Sequence, residues 1–219
     1  MKSKKKIKFL EFYKEENLFN KCQSDFLKSK CILISGGTTF DFLLKLFNKR
    51  KKTYNKMLIL FDERITNIKK KRNFYKINKY LIKKKIISKN KFFNFENLGN
   101  TIDLNKSNFL EQKIAKFTYP ELALIGVGND GHIGSIFSNS KNISKNFLVS
   151  KKTNENFQRI SLNLNFLKKI KKIILVINNK NKKIILNKLL NNSRKKNKTP
   201  VFKLLEIASK KICLYYIKH

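Results

Sequence analysis

The chain has 219 residues, of which 51 are Lys or Arg and 14 are Asp or Glu, so its net charge is +37. This charge excludes an acidic or neutral protein, and the 41% of hydrophobic residues excludes a chain that is disordered throughout. A strongly AT-rich coding sequence, whose codons favour Lys, Asn, Ile and Phe, explains much of the charge, and selection for a polyanionic partner is the alternative.

Short apolar runs predict buried strands, and segments with helical spacing lie between them. In chain order the pattern predicts a helix over 9–27, a strand over 31–34, a helix over 42–47, a strand over 57–61, helices over 74–87 and 109–117, strands over 122–125 and 173–177, a helix over 184–190 and a strand over 212–217. Strands that are apolar on both faces and alternate with helices are typical of an α/β sandwich. We therefore expect one domain over 1–219 with a mostly parallel sheet.

The targeting and redox signals favour a reduced, cytoplasmic protein. No stretch approaches the roughly 20 apolar residues of a membrane helix, and the basic start of the chain has no apolar signal-peptide core behind it. The three cysteines, Cys22, Cys31 and Cys213, are odd in number and lack metal-ligand spacing. We expect free thiols, no membrane span and no metal.

The glycines are concentrated in two loops. Of the seven in the chain, Gly36 and Gly37 lie in one short loop, four lie within 126–134, and only Gly99 falls elsewhere. Both loops follow a predicted strand at its carboxyl end, which is where open parallel sheets bind ligands. The two loops are therefore the candidate ligand site.

The first loop runs Ser35-Gly36-Gly37-Thr38-Thr39 between a strand and a helix. Glycines allow a ligand close to the backbone amides, and the following helix offers unpaired N–H groups and the positive end of its dipole. This combination predicts a phosphate site. A tight turn with Thr39 as the helix N-cap is the alternative.

The second loop places His132 two residues after Asp130, and the only other histidine is the terminal His219. An imidazole has an unperturbed pKa of about 6.5, which suits a proton acceptor near neutral pH. A neighbouring carboxylate can orient that imidazole. His132 is thus a candidate general base, and a surface histidine without a role is the alternative.

A third feature, Asp62-Glu63-Arg64, follows the second predicted strand directly. We expect three successive charges to lie outside the core. A polar loop is one interpretation. The other is that Arg64 binds an anion bidentately at the same sheet edge as the glycine loops.

These motifs together resemble those of the 6-phosphogluconolactonase and glucosamine-6-phosphate isomerase/deaminase superfamily. The similar segments are 35–39 (SGGST in the family), 62–64 (DER), Asn73, 124–132 (LLGMGPDGH), 159–162 (RITL), Lys182 of the G-x-x-K turn, and Pro200 before the last strand. The resemblance implies a three-layer α/β sandwich with a mostly parallel, Rossmann-like sheet flanked by helices. No Asp or Glu occurs between His132 and Glu155, where deaminases carry a carboxylate. This absence favours the lactonase branch.

Several positions depart from the family pattern. Phe40, Asn129 and Ser138 stand where the family usually has Pro, Asn179 stands where it has Gly, and Ile133 is the one deaminase-like residue. None of the replacements removes a residue that needs to do chemistry.

The resemblance implies hydrolysis of 6-phospho-D-glucono-1,5-lactone to 6-phosphogluconate in the oxidative pentose phosphate pathway, without a cofactor. His132 would be the general base, and Asp130 would orient it or a substrate hydroxyl. The implied substrate and phosphate contacts are Ser35, Gly36, Gly37, Thr38, Asp62, Arg64, Asn73, Gly128, Arg159 and Lys182. The sequence does not decide which of the three cations reaches the phosphate.

Three other functions stay open. Glucosamine-6-phosphate deamination is the nearest, and a sugar-phosphate-binding module without turnover is the second. A nucleic-acid-binding protein is the third, but the lysines are spread along the whole chain instead of being gathered with aromatics on one face. We expect a small sugar-phosphate lactone as the partner, and a monomer.

Overall fold

Seven parallel strands form the central sheet of the computed structural model, which describes residues 7–49, 52–96, 98, 102–178, 182–191 and 198–218. In spatial order the strands are β1 (Lys8–Phe12), β11 (Ile212–Ile217), β10 (Lys172–Asn178), β6 (Leu122–Gly126), β2 (Cys31–Ile34), β3 (Met57–Leu60) and β5 (Phe92–Phe93). Every residue of β2 and β11 is buried. Both faces of the sheet are therefore covered, as the apolar runs predicted.

A second, antiparallel sheet stands beside the first and was not predicted. Its order is β4 (Asp62–Ile65), β9 (Gln158–Leu162), β8 (Phe147–Lys151) and β7 (Lys141–Asn142). Strand β4 follows β3 after the single residue Phe61, and its register pairs Asp62 with Ser161 and Arg64 with Arg159. The second sheet thereby brings residues from distant parts of the chain to the end of β3.

The described helices pack against the parallel sheet and against one another. They are α1 (Glu15–Lys28), α2 (Asp41–Lys49), α3 (Asn73–Ile77), α4 (Leu104–Ala115), α5 (Leu164–Lys168), α6 (Lys183–Leu190) and α7 (Pro200–Ala208). Helix α1 contacts α2 through Phe19 and Phe47, whose ring centroids lie 5.0 Å apart, and α5 contacts α7. Within the described ranges, each helix is too short or too polar to cross a bilayer.

The five predicted strands are confirmed, and two predicted helices need correction. The start of the helix predicted over 9–27 is wrong, because Lys8–Phe12 is an edge strand that pairs in parallel with β11 and the helix begins only at Glu15. Its apolar residues fit helical spacing, but the free edge of β11 offers backbone hydrogen bonds that decide the outcome. The helix predicted over 74–87 consists of α3 and a π-helical turn, Asn78–Ile82, and ends before Lys85, whose φ is 56°.

The expectation that the charged triplet lies outside the core is wrong. Asp62 is 4% exposed and Glu63 is fully buried. Both are held in β4, whose backbone pairs with β9. The Asp62 carboxyl group accepts from the Ser135 hydroxyl, and that of Glu63 accepts from the first amides of α3. Asn179, Gly99 and His219 lie outside the described residues.

Candidate active site

The candidate site is a cavity of about 450 Å³ at the carboxyl edge of the parallel sheet. Because β2 and β6 are hydrogen-bonded neighbours, the glycine loops that follow them lie side by side. The predicted site residues that line the cavity are Ser35, Gly37, Thr38, Asp62, Arg64, Asn73, Gly128, Asp130, His132, Arg159 and Lys182. Gly36 is buried behind them. The structure therefore brings together residues that are up to 147 positions apart in the chain (Ser35 to Lys182).

The first glycine loop is tied to the sheet and turns directly into a helix. The Ser35 N–H donates to the Leu124 carbonyl at 3.1 Å, which fixes the loop to β6. After the two glycines, Thr38–Phe40 forms one turn of 3₁₀ helix that leads into α2. The Phe40 N–H closes this turn on the Gly37 carbonyl at 3.1 Å, a bond that proline could not make. The departure at Phe40 is thus accommodated by an added hydrogen bond.

Gly36 is required by packing and Gly37 leaves the loop open. A Cβ atom on Gly36 would lie 2.5 Å from the Asn73 Cβ, whereas one on Gly37 would meet nothing within 4 Å. Asn73 therefore forms the wall behind the loop, and the Gly37 backbone faces the cavity.

The second glycine loop folds back on itself around His132. The Gly128 N–H donates to the His132 carbonyl at 2.9 Å, and the Gly131 N–H donates to the Gly128 carbonyl at 3.0 Å. A Cβ on Gly128 would lie 2.1 Å from the His132 Cε1, so only glycine leaves room for the ring. The Val201 N–H, in the first turn of α7, donates to the Gly131 carbonyl at 3.0 Å and anchors the loop.

Asp130 holds His132 by both its backbone and its ring. The Asp130 Oδ1 lies 2.5 Å from the His132 Nδ1 and also accepts the His132 N–H at 3.1 Å. Partial burial by itself would raise the pKa of Asp130, but the hydrogen bonds and charge of His132 outweigh it and lower that pKa. An ionised Asp130 assigns the proton to Nδ1 and leaves Nε2 as the basic nitrogen.

Asp62 brings a buried carboxyl group to the cavity. Its Oδ2 accepts a hydrogen bond from the Ser135 hydroxyl at 2.7 Å, and the Ser150 hydroxyl donates to the Ser135 carbonyl at 2.7 Å. Burial raises the pKa of Asp62, against the opposing effect of the Ser135 hydrogen bond and of nearby Arg159.

The three predicted cations have different partners. Arg159 is held by Glu155, whose carboxylate accepts from Nε at 2.7 Å and from Nη2 at 2.5 Å. Arg64 donates from Nη1 to the Lys71 carbonyl at 2.6 Å. Lys182 donates to the Thr39 hydroxyl at 3.3 Å, and burial lowers the Lys182 pKa. Of these three, Lys182 is the one whose ammonium contacts the first glycine loop.

Sequence reasoning missed several residues at or beside the cavity. Lys152 lines it without belonging to any recognisable motif. Phe137 stacks on His132 with ring centroids 4.8 Å apart and carries the Arg159 guanidinium 5.6 Å from its own ring centre. Glu155 and Arg159 are four residues apart, a spacing that in a helix predicts an ion pair. This spacing is the one sequence signal for their contact. No local signal points to Phe137.

The remaining departures lie at the margin of the site. Asn129 is exposed and lines the cavity, and Ser138 is exposed on the turn that follows Phe137. Asn179 falls outside the described residues. A larger groove of about 840 Å³ lies beside the cavity and shares Arg64 with it, but neither glycine loop contributes to it. Among the described residues, no three His, Cys, Asp or Glu side chains are grouped as a metal site requires.

The fold and cavity define an α/β protein whose candidate site lies at the carboxyl edge of its parallel sheet. The family model described as glucosamine-6-phosphate isomerases/6-phosphogluconolactonase matches residues 16–212. The chain therefore belongs to this family, as its motifs predicted.

Individual relatives agree with this placement. A 6-phosphogluconolactonase of Helicobacter pylori (strain J99 / ATCC 700824) is 33% identical over 78 residues, a stretch that covers 34% of each chain. A glucosamine-6-phosphate deaminase of Malacoplasma penetrans (strain HF-2) is 24% identical over 96% of this chain and 98% of its own length. The crystal structure of a 6-phosphogluconolactonase from Shewanella baltica OS155 superposes with a TM-score of 0.81 over 98% of this chain and 99% of that one, at 19% identity. The structural match shows the shared fold. The sequence match to the Helicobacter pylori relative spans about a third of that protein's length.

Proposed function

We propose that this protein hydrolyses 6-phospho-D-glucono-1,5-lactone to 6-phospho-D-gluconate in the oxidative pentose phosphate pathway. The observation that carries the proposal is the pair formed by Asp130 and His132, which shares one cavity with the first glycine loop and Lys182. A base held in one tautomer and an anion-binding loop are the two parts that a phosphorylated lactone needs. The lactonase relatives support the same reaction.

In the proposed mechanism His132 acts through its Nε2. This nitrogen removes a proton from a water molecule, and the water oxygen attacks C1 of the lactone to give a tetrahedral oxyanion. The protonated imidazole then returns the proton to the ring oxygen as the C1–O bond breaks. Asp130 stabilises the imidazolium formed in between, because its carboxylate accepts from Nδ1 at 2.5 Å.

The oxyanion needs donors that are not already used. The amides of Val127, Gly128 and Gly131 donate to carbonyls of the protein, and the His132 amide donates to Asp130 Oδ1, so these four do not serve this purpose. We assign the role to the remaining amides of the second glycine loop together with the N–H groups of Arg159 that Glu155 does not engage. Arg159 is 7% exposed and lines the cavity. A buried, preorganised donor is more effective than an exposed one because it needs no reorganisation during the reaction.

We assign the 6-phosphate to the first glycine loop and Lys182. Glu155 already neutralises Arg159, whereas no salt bridge to Lys182 is found among the described residues. The lowered pKa of Lys182 reflects the cost of burying an unpaired ammonium, and a phosphate dianion would remove that cost. Arg64 supplies further positive charge at the same cavity.

The deaminase reaction is the second candidate, because the Malacoplasma penetrans relative matches nearly the whole chain. A deaminase needs a carboxylate soon after the histidine, and the first acidic residue after His132 is Glu155. That carboxylate is paired with Arg159. The arrangement therefore favours the lactonase.

The deciding experiment adds purified protein to freshly generated 6-phosphogluconolactone and follows 6-phosphogluconate through its NADP-dependent dehydrogenase. We expect a rate well above spontaneous hydrolysis. The His132→Ala variant, purified identically, measures the contribution of any lactonase from the expression host. Ammonia release from glucosamine 6-phosphate, with no lactone hydrolysis, would replace the proposal with the deaminase.

We place this reaction in the cytoplasm. Cys22, Cys31 and Cys213 are buried free thiols, which supports a reducing compartment. The absence of a cofactor requirement and the monomeric state stay predictions.

A further inference from the structure

Glu63 is a buried carboxyl group next to the cavity that has no part in the mechanism above. Side chains alternate along strand β4, so Asp62 and Arg64 point towards the cavity and line it, whereas Glu63 does not. Its side chain is fully buried. A carboxyl group in such a place is costly unless something satisfies it, and it does not reach the substrate.

Three backbone N–H groups satisfy the Glu63 carboxylate. Its Oε1 accepts from the Arg64 and Asn73 amides, both at 2.7 Å, and its Oε2 accepts from the Phe74 amide at 2.8 Å. Asn73 and Phe74 are the first two residues of α3, and the preceding residue, Arg72, provides no side-chain cap. Glu63, which lies in strand β4, therefore caps the N-terminus of α3.

The cap fixes Asn73, and Asn73 forms the wall behind the first glycine loop. The Asn73 Nδ2 donates to the Asp62 carbonyl at 3.0 Å, so both the backbone and the side chain of Asn73 are tied to β4. The close approach to Gly36 leaves no room for a side chain there. Within the described residues the Asn73 Oδ1 is buried without a partner, and Asn73 lines the cavity.

We propose that Glu63 is a positioning residue that holds Asn73 against the Gly36-Gly37 turn and so sets the shape of the anion-binding end of the cavity. The inference rests on the proposed function for its ligand. It assigns Glu63 no contact with that ligand. Its effect should therefore appear in the affinity for the phosphorylated sugar more than in the rate of the chemical step.

The test uses Glu63→Gln, which keeps the size of the side chain but turns one acceptor oxygen into an NH₂ group facing the Phe74 N–H. Glu111→Gln is the matched control, because Glu111 also accepts a backbone N–H, that of Asn146 at 2.7 Å, but lies away from the cavity. Affinity for 6-phosphogluconate is measured by calorimetry at about pH 8, together with KM and kcat for the lactone. Burial raises the pKa of Glu63 to about 7, so its carboxyl group is ionised at this pH.

We expect Glu63→Gln to weaken 6-phosphogluconate binding and raise KM about tenfold, with kcat changed less than about threefold. Asn73→Ala should do the same. The double variant should lose no more than either single one, since both changes remove one linked interaction. Glu111→Gln should leave affinity and KM unchanged.

A ligand-free readout separates this inference from the proposed function. In ¹⁵N-labelled protein, Glu63→Gln should shift the amide signals of Gly36 and Gly37 while those of the second glycine loop stay in place. Asn73→Ala provides the same readout if Glu63→Gln does not fold. Unshifted Gly36 and Gly37 signals, or an unchanged affinity in a folded variant, would overturn the positioning role. Lactone left unhydrolysed by a wild-type protein that shows the shifts would instead overturn only the proposed function.

Discussion

The two sheets contribute different kinds of groups to the candidate site. The strands of the parallel sheet that carry the glycine loops, β2 and β6, are apolar and contribute backbone and loops. The antiparallel sheet carries Asp62, Glu63 and Arg159 into the interior, where all three are buried. The first sheet is stabilised by burial of apolar surface, whereas the second must satisfy each charge with a specific partner.

This difference explains how one cavity obtains both shape and charge. Parallel strands end together at one edge, so their loops meet without any pairing between side chains. The topology of a parallel sheet does not by itself place charged side chains at this edge. Here the pairing register of β4 and β9 places them, because it sets Asp62 opposite Ser161 and Arg64 opposite Arg159. The loops should therefore control the chemistry, and the antiparallel sheet should control the electrostatics and the stability.

The largest expected effect comes from the glycine loop that follows β6 of the parallel sheet. His132→Ala removes the general base from the second glycine loop, and we expect kcat to fall about 10²–10⁴-fold with little change in KM. The measurement is lactone hydrolysis corrected for the spontaneous rate. A kcat equal to that of the wild-type protein would remove His132 from the mechanism.

The second effect concerns the pH dependence of stability that the buried Glu63 of the antiparallel sheet should cause. Burial raises the pKa of Glu63 to about 7 from its ordinary 4.5, against the opposing hydrogen bonds and the facing Arg72, whose Nε lies 3.7 Å away. Between those values the folded chain binds a proton that the unfolded chain does not. The free energy of unfolding should therefore fall as pH rises through this window, by up to about 3 kcal/mol.

Urea unfolding of the wild-type protein and of Glu63→Gln, at about pH 5.5 and pH 8, isolates this contribution because all other groups are shared. The wild-type protein should lose more stability between the two values than the variant does. Parallel pH profiles for the two proteins would show that Glu63 does not titrate in this range.

The third effect concerns the cation that follows the parallel strand β10. Lys182→Ala should raise KM for the phosphorylated lactone about tenfold to a hundredfold, the cost of one charge-assisted hydrogen bond. Lys188→Ala, which removes an exposed lysine of α6, is the control. If KM moves equally in both variants, general positive charge attracts the substrate and Lys182 has no special contact.

The smallest effect concerns the contact between the two regions. Phe137 contacts both the His132 ring and the Arg159 guanidinium, so Phe137→Leu removes both aromatic contacts while keeping an apolar side chain. We expect kcat to fall about twofold to tenfold, the value of such a contact. Steady-state kinetics measure the loss, and a change confined to KM would argue against a role in orienting His132.

The sequence predicted most of the parallel sheet and none of the antiparallel one. Apolar runs such as 31–34 and 173–177 are buried wherever the chain places them, because their burial needs no particular partner. The strands Phe147–Lys151 and Gln158–Leu162 mix polar and apolar residues, and their strand state depends on pairing with each other. The start of the helix predicted over 9–27 is wrong for the same reason, because the partner of the strand Lys8–Phe12, β11, lies near the other end of the sequence.

The candidate site shows the same division. The glycine loops and the Asp130–His132 pair were predictable because their residues are close in sequence. The cap from Glu63 to α3 joins residues ten and eleven positions apart in different elements, so local spacing does not predict it.

By itself the sequence determined the apolar strands, the glycine loops that follow two of them, and the family to which the chain belongs. These are local properties of residue type and spacing. Only the tertiary structure decided that Asp62 and Glu63 are buried, that Glu155 engages Arg159, and that Asn73 backs the Gly36 turn. A buried charge is stable only beside its partners, and those partners come from elements that are distant along the chain.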